Sequence, residues 1–396
     1  MTAATSTRVS GLPENHYAPD FLVEVEGKAI DPVLKANILE VTVVLDSDDL
    51  SSVDLKLNNY DDTTFDLMTW LDSDLFRLGN RVHVQLGYAD RLVSMLRGPI
   101  TTLSPAFASD GASTLTVRVM DPLVALKGSY PPRDEVMYSE KRDWEIAQRI
   151  AERHHLKFAQ DDDKDAPIHE LVVQGAKDDL TFIKERAAMN DREVFTRTNP
   201  DPAKDVLHFG KRTDGRDAEP IRTYVLTWGS LHSTDGSENP PSMIEFMPTI
   251  AASDQVQSVT VLGWDSATKE PIDCTAEAAT TPGVSGSGEA TGPAAAGLVA
   301  GTAGKRETVD NAPVANREEA KRLAESLLAS RARKFLTATG RTIGVPDLRP
   351  GDNVEIHGVG TRFGGTYYVT KATHVLDASG LLTEFAACKT YQGAKR

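Results

Sequence analysis

The sequence predicts a mainly β protein with an α+β insertion. Three observations predict it: apolar and polar residues alternate from Phe21 to about Lys127, a helical period sets in at Asp143, and alternation returns from Tyr224 and closes the chain. At 396 residues, 40% hydrophobic and 26% charged, the chain is long enough for two or three domains with a core each.

In the first region, Phe21 to Glu26 and Ile38 to Leu45 read as half-buried strands. Arg81 to Tyr88 and Arg91 to Arg97 flank the short Ala89-Asp90 connection and predict a hairpin, and Ser113 to Met120 adds a further strand. A small antiparallel barrel or sandwich follows. Leu67, Trp70, Leu71 and Leu75 fall at three- and four-residue spacing, which predicts one short helix over Asp66 to Phe76.

Asp143 is placed to cap a helix running to about His155, with Trp144, Ala147, Ile150 and Ala151 on one face. A second helix is predicted from Asp178 and Asp179, whose carboxylates suit an N-terminal turn, with Leu180, Ile183 and Ala187 on its apolar side. Strands are expected at Glu170 to Gln174 and Val206 to Phe209, so this region is α+β. The second β region runs from Tyr224 to about Ile272 and includes Gln255 to Leu262. Ala278 to Gly304 is rich in Gly, Ala, Ser, Thr and Pro, and reads as a flexible loop because it offers little surface to bury. The glycines from Gly283 to Gly288 lack the strand, helix and Lys-Ser/Thr context of a phosphate cradle. Asn316 then caps the clearest helix, with Glu319 three residues on and Ala320, Leu323, Ala324, Leu327 and Leu328 as its stripe. Strands at Asp352 to His357, Thr366 to Leu376 and Leu381 to Cys388 finish the chain, the last two joined by a turn at Asp377 to Gly380.

Composition excludes several functions. A net charge of −15 and a pI near 5.1 oppose broad contact with nucleic acid, which needs clustered Lys and Arg. Met1 to Pro19 is polar, and no stretch reaches the about 20 apolar residues that span a bilayer, so synthesis in the cytoplasm without membrane insertion is expected. Cys274 and Cys388 are too few for a disulfide framework and lack zinc-site pairing. Nine histidines are scattered; only His154 and His155 adjoin, and helix neighbours point about 100° apart. The acidic runs Asp46 to Asp49, Asp61-Asp62 and Asp161 to Asp163 lack a calcium-loop pattern and read as solvated turns. Trp228 and Trp264 read as core or rim aromatics. No catalytic residue, cofactor-binding residue or metal ligand is assigned, and neither enzyme activity nor a cofactor is expected.

Four features together resemble the phage late control gene D family, trimeric tail-hub proteins related to the N-terminal hub part of type VI secretion VgrG spikes. They are Val173 to Ala187 followed by Val206 to Gly210, the Gln255 to Asp265 strand ending Gly-Trp-Asp, the Asn316 to Arg331 helix, and Gly344 to Ile356 with Gly358 to Gly360, Gly364 to Tyr368 and His374. The resemblance implies two tail-tube-like antiparallel β-barrels per chain and a homotrimeric ring. Its partners would be a spike protein, a tail tube protein and other baseplate components, in an assembled tail or injection particle. It implies an N-terminal arm at 1–19, a first barrel at 20–130, an α+β domain at 131–211, a second barrel from 212–277 and 337–396, a flexible loop at 278–310, and a helix at 311–336 packed on the second barrel. Because the sequence stops at Arg396 without a needle-like repeat, the spike is expected to be a separate chain. The competing reading is a tail component that cleaves cell-wall polysaccharide with two of the acidic residues, or else a carbohydrate-binding β module.

Overall fold

The computed structural model describes residues 8–10, 18–59, 70–107, 109, 112–160, 166–198, 201, 205–212, 222–229, 231–232, 238–239, 243–266, 268–281, 284, 291–300 and 305–393. The chain is mainly β, as alternation predicts. Its first part contains β1 (Arg8–Ser10), β2 (Pro19–Val25), β3 (Lys28–Ala29), α1 (Pro32–Asn37), β4 (Ile38–Asp46), β5 (Ser52–Asn58), β6 (Arg81–Tyr88), β7 (Arg91–Ala106) and β8 (Thr114–Met120). The strand predicted to end at Arg97 runs on through Gly98 and Pro99. Glycine is needed there because a Cβ on Gly98 would sit 1.8 Å from the Met120 carbonyl oxygen. Only the end of the predicted Asp66 to Phe76 helix lies among the described residues, and there Asp74–Phe76 forms one 3₁₀ turn.

The α+β part follows with β9 (Met137–Lys141), α2 (Asp143–Arg153), β10 (Lys157–Gln160), β11 (His169–Val173), α3 (Asp179–Met189), β12 (Arg192–Arg197) and β13 (Val206–Lys211). Asp178 caps α3 by accepting the Thr181 N–H at 2.7 Å, as its position predicts. Asp143 does not cap α2. The Glu145 carboxylate accepts the Arg142 N–H at 2.8 Å instead, which leaves Asp143 in the first turn and turned inward.

The remainder holds β14 (Thr223–Thr227), β15 (Leu231–His232), β16 (Glu238–Asn239), β17 (Met243–Ile250), β18 (Ser258–Asp265), β19 (Glu270–Glu277), α4 (Gly292–Ala300), β20 (Arg306–Val309), α5 (Arg317–Arg333), β21 (Leu336–Ile343), β22 (Asn353–His357), α6 (Gly360–Phe363), β23 (Gly365–Asp377) and β24 (Gly380–Lys389). Two expectations are corrected here. Strands β18 and β19, expected in the second β unit, form their own sheet with β20, and α5 packs on that sheet through Ala320, Leu323, Ala324 and Leu328. Within the predicted flexible loop, the Ala-rich run forms α4 and Arg306–Val309 adds a strand, since alanine is the best helix former and Ala296 is small enough to be buried.

Two units in the chain share one strand order, β2-β6-β7-β8-β5-β4 in the first and β14-β22-β23-β24-β21-β17 in the second. Their registers coincide. The row Val43, Val53, Val119, Ile100 in the first corresponds to Pro248, Ala338, Ala387, Val369 in the second. Irregularities match too: β4 and β17 each shift register after their first residue, at Ile38/Glu40 and Met243/Glu245. Strands β7 and β23 shift at Ile100/Thr102 and Val369/Lys371. Gly79 and Gly351 occupy the same place with φ of 91° and 92°, and each donates its N–H to the row's last residue, Ile100 or Val369, at 2.8 and 2.9 Å. The units differ at the outer strand, where β2 lies antiparallel to β6 but β14 lies parallel to β22.

Candidate assembly edges

The residues the sequence singled out for chemistry do not converge. Among the described residues, no three of His, Cys, Asp and Glu lie close enough to hold a metal ion. Asp46 organises a turn, accepting the backbone N–H groups of Asp48 and Asp49 at 2.9 and 3.2 Å and pairing with Lys371. Asp61-Asp62 and Asp161 to Asp163 lie outside the described residues. Trp228 and Trp264 are 46% and 59% exposed, so neither is a core residue. Cys274 and Cys388 are both buried, and neither is in a disulfide. No helix among the described residues is long and apolar enough to cross a membrane.

One buried polar cluster escaped the sequence reading. His169 on β11 bridges Glu319 of α5 at 2.6 Å and Asp143 of α2 at 3.0 Å, while Arg186 of α3 donates to Asp143. Burial alone would lower the His169 pKa, but its hydrogen bonds to the Asp143 and Glu319 carboxylates outweigh it and lift the imidazole to about 9. The carboxyls respond in the opposite sense: burial raises Asp143, yet bonds to His169 and Arg186 hold it below its usual range. The ring is therefore a buried cation between two carboxylates, joining α5 to the α+β part.

The two β units meet through a strand junction. The first half of β23, at Gly365 to Tyr368, pairs with β22, and on the same edge Lys371 to Leu376 pairs antiparallel with Asp46 to Val41 of β4. Around the ladder, the Tyr88 hydroxyl donates to the Gly344 carbonyl at 2.8 Å and the Arg349 guanidinium donates to the Ser94 carbonyl. Leu381 of the second unit is buried in the core of the first. The ladder thus binds edge strand β4 to a stretch of β23 that its own neighbour leaves open.

The same two edges recur with no strand on them among the described residues. In the first unit β6 covers β7 only as far as Pro99, so Thr102 to Ala106, the counterpart of Lys371 to Val375, has β8 on one side alone. In the second unit β17, the counterpart of β4, pairs only with β21. Burial reports the difference: Val41 and Val43 of β4 are fully buried, whereas their counterparts Phe246 and Pro248 are half-exposed. Ala372 and His374 of β23 are fully buried, whereas Leu103 is half-exposed and Pro105 exposed. Phe107 and Met247, at the two open edges, are 62% and 56% exposed. A repeat of the Gly-polar-polar-Val kind, Gly79 to Val82 and Gly351 to Val354, is the sequence signal that marks the duplication.

Solved structures share this fold across nearly the whole chain. The prophage MuSo2 43 kDa tail protein from Shewanella oneidensis superposes with a TM-score of 0.66 at 10% identity, covering 94% of this chain and 99% of that one. The tail protein from Neisseria meningitidis MC58 gives 0.62 at 13% identity, covering 94% and 97%. An E. coli protein described as a component of the type VI secretion system, with structural similarity to T4 bacteriophage tail proteins, gives 0.53 at 12% identity, covering 92% and 76%. At such identities the likeness establishes the fold. The chain belongs to the family described as the Alg8 N-terminal domain, whose match spans residues 16–200 and 239–378. No curated protein sequence matches it.

Proposed function

We propose that the chain is a structural hub subunit of a phage-like contractile tail or injection system. Three copies form a ring of six β units that seats a three-fold spike on one side and a six-fold tail tube on the other. The observation that carries this reading is the duplication in register: two equivalent units per chain let a trimer present six-fold surfaces. The tail-protein fold and its likeness to a type VI secretion component support it. The late control gene D resemblance points the same way. The role is architectural: of the acidic runs, Asp46 to Asp49, the one among the described residues, is engaged in a turn and in ion pairs, Asp46 with Lys371 and Asp48 with Arg212.

The test is the mass in solution, measured by light scattering during size-exclusion chromatography, with the protein alone and together with its spike. A mass about three times 42.9 kDa in either condition supports the hub. A monomer in both overturns it, and turnover of cell-wall material abolished by a single acid-to-amide substitution would replace it with the enzymatic reading.

A further inference from the structure

The two open edges lie on different units, and the chain already contains a worked example of how such edges join. At the internal junction Lys371 faces Asp46, Ala372 faces Leu45, Thr373 faces Val44, His374 faces Val43, Val375 faces Thr42 and Leu376 faces Val41. The coincident registers carry each of these positions onto its counterpart. On β7 and the residue after it they become Thr102 to Phe107, and on β17 and the residue after it they become Ala251 back to Phe246. We propose that these segments pair antiparallel between two copies of the chain, Thr102 opposite Ala251 and Phe107 opposite Phe246, and that this ladder is the contact between subunits. The proposal rests on the ring reading and supplies its interface.

Two features of the edges select a second copy of this chain in this register. The first is unfinished burial, since positions closed off at the internal junction stand open here and place the apolar Phe107 and Met247 at the surface. The second is proline. Each open edge carries one, Pro105 and Pro248, and a proline in a ladder sits where its missing N–H faces the open side. In the proposed register the two stand opposite each other, so both bonds that proline cannot donate are missing from one rung and every other rung is complete. Any shift separates them and spreads the missing bonds over two rungs, in each of which the carbonyl opposite the proline loses its donor. The same prolines deter unrelated strands from adding to either edge. Because β17 of one copy meets β7 of the next, the contact is head-to-tail and propagates until the ring closes.

Disulfide trapping tests this. Ser104 and Thr249 are exposed, face each other in the proposed register, and become cysteines in the double variant Ser104→Cys, Thr249→Cys, while native Cys274 and Cys388 stay buried. Oxidation, with the spike present if the trimer needs it, is expected to yield a reducible covalent species of three chains. Neither single variant is expected to yield it, and Ser104→Cys with Met247→Cys, two residues out of register, is expected to give at least tenfold less. A particle that is trimeric by light scattering but remains uncrosslinked, or crosslinks equally in the shifted pair, overturns the ladder while leaving the hub reading intact. A double variant and parent that are both monomeric in every condition overturn the two together.

Discussion

At the scale of single residues, the two most informative side chains are buried histidines with opposite charge states. The His169 pKa is raised to about 9, so its contribution to stability is fully present below the ordinary value of 6.5 and is lost as pH rises through about 9. His169→Gln removes the cation between Asp143 and Glu319 and leaves Arg186, bonded to Asp143, as the cation of the cluster, and is expected to destabilise the protein by about 3 kcal/mol at pH 7. Denaturation curves at pH 7 and pH 10 check this, because the variant should also lack the parent's loss of stability at high pH. His374 is fully buried, and burial together with the Arg349 charge pushes it down to about 3. Its Nε2–H donates to the Leu348 carbonyl at 3.1 Å, and its Nδ1 accepts from the Thr383 hydroxyl at 3.0 Å. The unfolded chain takes up a proton below pH 6.5 that the folded ring refuses until about 3, so stability falls across that interval as pH drops. The expected outcome for His374→Gln is a flatter dependence of unfolding free energy on pH over the same interval.

At the scale of elements, local signals explain what was legible in the sequence. The caps at Asp178 and Asn316, the hairpin turn at Asp377 to Gly380, and the alternating strands of the first unit are each specified by neighbours in sequence, and each appears where expected. Choices made across distance were not legible. Alternation in Ser258 to Leu262 announces a strand with a buried face but not which sheet receives it, and β20 and α5 drew it away from the second unit. Asp143 looked like a cap because position is local, whereas its partners Arg186 and His169 are remote. Composition misled at α4, where a run short of bulky side chains still forms a helix. Among turns, Gly351 carries the sharpest expectation. Nothing lies within 4 Å of a Cβ added there, so Gly351→Ala tests backbone strain alone, and at φ of 92° it should lower stability by about 1–2 kcal/mol in chemical denaturation.

At the scale of the whole molecule, the proposed assembly site is a pair of strand edges that no catalytic motif would mark. Sequence patterns record what a residue packs against within its own strand and turn; an open edge is defined by a strand that is missing from one side. The duplication made it visible, because β4 and β23 show the finished form of an edge that β17 and β7 display unfinished. The resemblance to tail hubs had predicted two barrels; among the described residues neither unit closes into a barrel, and the two, of identical strand order, are instead joined by a ladder into one 14-stranded sheet.

That internal ladder has a kinetic consequence. Units joined within one polypeptide meet at an effective concentration in the millimolar range or above, set by the connecting chain and untouched by dilution. Half of the junctions in a six-unit ring would therefore close as each chain folds, and only the other half would await encounters between molecules. Assembly then becomes a three-body problem in place of a six-body one. Incomplete rings are correspondingly few in kind, a single chain or a pair, so a cell making little of this protein would strand fewer of its copies in partial rings.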